Sequence, residues 1–172
     1  MHHDYKDLIA VFNREFLDAE NTELLLGGDE PIYLPADNEH PHNRIIFARG
    51  FFASALHELA HWCVAGPERR KLEDYGYWYE PDGRDAATQA EFEKVEIKPQ
   101  ALEWILSASC GFRFNVSCDN LSGVEPDRAT FTHNVRNQVL AYLDKGIPAR
   151  AKQLSDAFRL HYGIPALTPD SF

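Results

Sequence analysis

The chain has 172 residues, of which 44% are hydrophobic and 12% aromatic, enough for one packed core and too many for wholesale disorder. Seventeen basic residues against 27 acidic ones give a net charge of −10, which argues against a chain built to grip nucleic acid and suits a cationic ligand. No apolar run is long enough to span a bilayer, and the first residues lack the basic and apolar regions of a signal peptide, so a cytoplasmic protein is expected.

The first predicted element is a helix over about 5–19, where Leu8, Ile9, Phe12 and Phe16 share one face. Three short extended stretches follow, at about 23–26, 32–34 and 44–48, and form a small sheet or a hairpin with one more strand. A helix over about 50–65 stops at Gly66-Pro67. Residues 68–85 make an aromatic and acidic loop. Helical pattern returns over about 86–109, where Pro99 should kink or divide it. After an irregular stretch, two more helices are expected, at about 126–144 and 148–161. No repeat or linker divides the chain. The expectation is α+β, one domain over residues 1–172, with roughly the last ten a tail. Three cysteines, Cys63, Cys110 and Cys118, are odd in number and form no C-x-x-C pair, which points away from a disulfide framework.

The chemistry-bearing motif is His57-Glu58-Leu59-Ala60-His61, inside the predicted helix over about 50–65. Residues i and i+4 of a helix lie one above the other, so both imidazoles can bind one metal ion. Glu58 projects about 100° away and borders the site. In metallopeptidases a glutamate here is the general base that activates metal-bound water. The histidine side of the helix carries small residues such as Ala53, Ser54 and Ala60, which leave room for a metal and a substrate. The other side carries Phe52, Leu56, Leu59, Trp62 and Cys63, which suit a core.

A metal site needs a third ligand. Val64 and Pro67 stand where the long zinc-peptidase motif needs Gly and His, so the ligand must come from a later segment. Glu91, Glu93, Glu96 and Glu103 are the candidates. Glu96 is preferred, because it precedes a helix whose Leu102, Ile105 and Leu106 can pack on the first, as in the glutamate-bearing second helix of zincin-like folds. Spacing does not separate Glu96 from Glu93, and Glu103 reads as a surface carboxylate. Two histidines and a carboxylate suit zinc hydrolysis or iron(II) oxygen chemistry alike.

Longer blocks narrow the choice. Residues 29–37, the run from Ser54 to Cys63, Tyr75-Gly76-Tyr77-Trp78-Tyr79, 81–85, Val95-Glu96, 98–102, 114–121, 125–128 and 146–148 together resemble the bacterial elongation factor P hydroxylase family, over about residues 5–162. The resemblance implies a zincin-like fold, with a metal-binding helix packed among several others. It implies a cytoplasmic enzyme that adds a hydroxyl to the β-lysylated lysine of elongation factor P, the last step of that modification. His57, His61 and Glu96 fall on the metal-ligand positions and Glu58 on the peptidase-base position, where it can orient a ligand or move a proton. Iron(II) is the expected metal and dioxygen the co-substrate; no electron donor is implied. The expected partner is the β-lysylated factor, with no nucleic acid or membrane, and the enzyme is expected to be a monomer. The rival reading is a small zinc metallopeptidase with Glu58 as base.

The β-lysyl extension ends in ammonium groups. Tyr75, Trp78, Asp82 and Asp85 are therefore candidates to receive it, since carboxylates and aromatic faces both hold cations. Asp119 is a candidate to orient a ligand histidine.

Overall fold

The computed structural model describes residues 1–77, 83–117 and 127–172. They form a small α+β domain of five α-helices and a three-stranded sheet. Helix α1 (Tyr5–Phe16) is capped by Asp4, whose side chain accepts from Lys6 N, and buries Leu8, Val11, Phe12 and Phe16. The strands are β1 (Thr22–Leu26), β2 (Ile32–Leu34) and β3 (Asn43–Phe47). β3 lies in the middle, parallel to β1 with Leu24 opposite Ile45, and antiparallel to β2 with Tyr33 opposite Ile45. Alternation puts Thr22, Leu24, Tyr33, Ile45 and Phe47 on the buried face. The edge strand β1 is tied to α1 by Asn13, whose Oδ1 accepts from Leu24 N at 3.0 Å.

Helix α2 (Phe52–Val64) follows the sheet and carries both motif histidines. Its bulky side, with Phe52, Leu56, Leu59, Trp62 and Cys63, is buried as the pattern requires. Arg150, from helix α5 (Ala149–Tyr162), closes its C-terminal end. The guanidinium donates to the carbonyls of Trp62, Cys63 and Ala65 and lies 4.4 Å from the Trp62 ring.

Helix α3 (Ala86–Ser109) packs against α2, α5 and helix α4 (Arg128–Lys145). It runs through Pro99 as one element, where the sequence predicted a kink or break. Proline removes the bond to the carbonyl of Val95. Val95 is 37% exposed, so water can reach that end of the turn, while packing on three sides holds the helix. Asp85 and Asp127 cap α3 and α4, accepting from Thr88 N and Thr130 N. The last residues fold back: Phe172 meets Trp104, and its carbonyl accepts from Arg136 Nε. Among the described residues no helix is long and apolar enough to cross a membrane.

Candidate metal centre

Successive turns of α2 bring the rings of His57 and His61 to 4.7 Å between centroids. Helix α3 supplies a carboxylate between them. Glu96, 3% exposed, places Oε2 at 3.2 Å from His61 Nε2 and Oε1 at 4.0 Å from His57 Nε2. One ligand atom from each of the three residues falls within 4.8 Å of the others. Glu96 Oε2 is buried and receives no directed hydrogen bond among the described residues, despite the close approach of His61. A buried carboxylate oxygen left without a donor is costly unless a cation satisfies it. The three side chains thus fit a metal ion, and they are the donor set of zinc and non-haem iron sites.

A fourth residue orients this set. Glu103 lies two turns along α3 from Glu96 and is 7% exposed. His57 Nδ1 donates to Glu103 Oε1 at 2.6 Å. In the neutral ring that binds a metal, that bond fixes the tautomer with the proton on Nδ1 and the lone pair on Nε2, which faces Glu96. The expectation of a surface carboxylate at Glu103 is overturned. The signal was present in the sequence: Gln89, Glu96, Gln100, Glu103 and Ser107 follow helical spacing, and all are buried polar residues on the side of α3 turned inward.

The electrostatics match the geometry. Burial works against a charged His57, but Glu103, assisted by Glu58 and Glu96, outweighs it and raises its pKa to about 10. Burial works to raise Glu96, and the charge and closeness of His61, then His57 and Arg84, overcome it and hold the carboxyl below its usual range. Glu58 is half-buried; burial raises its pKa, with His57 and His61 opposing.

The profile of the elongation factor P hydroxylase family matches residues 11–172. A protein from Haemophilus influenzae named elongation factor P lysine hydroxylase is 58% identical over 162 residues, which cover 94% of this chain and 91% of that protein. The chain belongs to the elongation factor P hydroxylase family. This membership does not favour the peptidase reading of the same motif.

The rest of the hydroxylase domain shows where the other candidates sit. Tyr75 is 4% exposed and stacks on Tyr33 at 4.3 Å between centroids. It is held there by a left-handed backbone at Asp74 (φ 48°) and Tyr75 (φ 60°), with Asp74 Oδ1 accepting from Tyr33 N. Its hydroxyl is buried without a hydrogen-bond partner among the described residues. Asp85 is exposed, and its carboxylate caps α3. Trp78, Asp82 and Asp119 lie outside the described residues. Two buried residues beside the site went unnoticed in the sequence. Arg84, 2% exposed, donates from Nε to Gln89 Oε1 at 2.7 Å and lies over the Phe92 ring. Gln100 exchanges two hydrogen bonds with the backbone of Ser117 and pins that chain to α3. A buried arginine is hard to foresee, because arginine is usually a surface residue.

Proposed function

We propose that this chain hydroxylates elongation factor P on the lysine that carries the β-lysyl extension, as the last step of that modification. One observation carries the reading to these atoms. The buried, donorless carboxylate of Glu96 faces two helix-paired histidines, one of them aimed by Glu103. In this proposal His57, His61 and Glu96 hold iron(II) within a zincin-like domain spanning residues 1–172. Iron(II), when bound, would supply the activation of dioxygen, one oxygen atom entering a C–H bond and the other leaving as water with two electrons from an external reductant and two protons.

The protein's own contribution is placement and charge. Glu103 holds the His57 ring so that Nε2 points inward. Glu96 brings a negative charge into a pocket where burial would otherwise remove it. Glu58 borders the histidines with a carboxyl whose pKa burial has raised, which suits it to hold and pass a proton. The substrate extension is received by Trp78, Asp82 and Asp85, with Tyr75 packed on Tyr33 as support for that loop, and Asp119 orients a ligand from behind. The enzyme works as a cytoplasmic monomer on its protein substrate, with neither nucleic acid nor membrane.

The test is to incubate the iron-loaded protein with β-lysylated elongation factor P in air, with a reductant, and to record the intact mass of the factor. A gain of one oxygen atom is expected, lost on replacing His57 or Glu96 and lost without dioxygen. An unchanged mass with iron bound would refute the proposal.

A further inference from the structure

A cavity of about 480 Å³ opens beside the metal centre, between α2, α3 and α4. His61 and Val64 of α2 form one wall, Gln138 of α4 another, and Tyr77 part of the rim. The α3 wall carries Lys94 and Lys98, one helical turn apart on the same side, with apolar Val95 and Ile97 beside them. Neither lysine makes an ion pair or hydrogen bond among the described residues, and no described carboxylate lines the cavity. The chain is acidic overall, and Lys71 and Lys152 are paired with Glu68 and Asp156. The two exposed ammonium groups make the α3 wall of the cavity locally positive, while Glu96 lies behind His61 at the other wall.

We propose that this cavity is a carboxylate-binding site, with Lys94 and Lys98 as its anion contacts. Its size is within the range of small-ligand pockets, which run from about 300 to 1,000 Å³. Its partly apolar walls suit an organic acid. It has neither the arginine fork nor the glycine-rich nest that builds a phosphate site. The carboxylate comes from a free organic acid or from an acidic side chain that the protein substrate presents. A cationic β-lysyl group is repelled here, so that extension must reach the metal centre by another side. The inference deepens the hydroxylase reading only through the second source, since the first requires no protein substrate.

The test is calorimetric titration of the full-length, metal-loaded chain with succinate, with inorganic phosphate and with β-lysylated elongation factor P. Each is compared with Lys94→Gln/Lys98→Gln and Lys94→Arg/Lys98→Arg double variants. Losing two charge-assisted contacts should weaken binding about tenfold or more, and the arginine pair should retain it. Succinate binding that is tighter than phosphate binding and depends on the lysines assigns a free acid. Lysine dependence only for the factor assigns an acidic side chain of the substrate. Lysine-dependent binding of phosphate as tight as that of succinate would overturn the proposal, as would affinities for succinate and for the factor that the glutamine pair leaves unchanged. Failure of the wild-type chain to bind the factor counts against the hydroxylase reading, and the succinate arm then decides the carboxylate site by itself.

Discussion

Replacing Glu103 tests whether the metal centre is held from behind. Its Oε1 accepts from His57 Nδ1 at 2.6 Å, and the carboxylate is 7% exposed, so water replaces it poorly. A hydrogen bond to a charged group is worth about 1.5–3 kcal/mol, which is roughly 10- to 150-fold in an equilibrium constant. Partners behind a metal-binding histidine contribute about 10- to 100-fold in metal affinity, a matching range. Glu103→Leu removes both bond and charge and should weaken zinc or cobalt binding by about that factor. Glu103→Gln can still accept from Nδ1 and should lose less, about tenfold or below. The assay is competition with a chromophoric chelator, with circular dichroism to confirm the fold. A folded Glu103→Leu protein with unchanged metal affinity would refute the argument that Glu103 orients His57.

Three further outcomes are expected. Glu58→Gln should keep its full metal content, measured by elemental analysis, and lower the hydroxylation rate; loss of metal would make Glu58 a ligand instead of a proton carrier. Arg150→Met should lower stability by about 3 kcal/mol, because three carbonyls at the end of α2 lose their donor and Trp62 its cation; a melting temperature within a degree or so of wild type would contradict this. The caps Asp85 and Asp127 accept backbone N–H groups, which hold both carboxyls below the usual range. A depressed folded pKa contributes stability that is present above the unfolded value, near 4, and lost as pH falls through the folded one. Asp127→Asn caps without titrating, so its melting temperature should fall less steeply than wild type below about pH 4. Parallel acid limbs would refute the assignment.

How much of this was legible can be argued from particular residues. The helices and strands followed from periodicity, and every predicted element appears within a few residues of its expected place. Pro99 does not divide the helix, because a local rule for helix breaking does not include the helices that pack around α3. Glu103 misled for a related reason. A glutamate is taken as solvated until a buried partner is known, and its partner is 46 residues away in the chain. Arg150 was silent in the sequence, since the carbonyls it caps are brought near only by the fold.

The amino-acid sequence by itself determined the pairing of His57 with His61, because a separation of four residues on a helix sets two side chains on one face whatever surrounds them. It also determined the family, through blocks spread along most of the chain. Only the tertiary structure decided between Glu96 and Glu93. Both lie on the inward side of α3, but the packing of α3 on α2 buries Glu96 against the histidines and leaves Glu93 partly open to water. The choice rests on where two helices touch, and that contact is set by the packing of both helices in the fold, not by the spacing within either one.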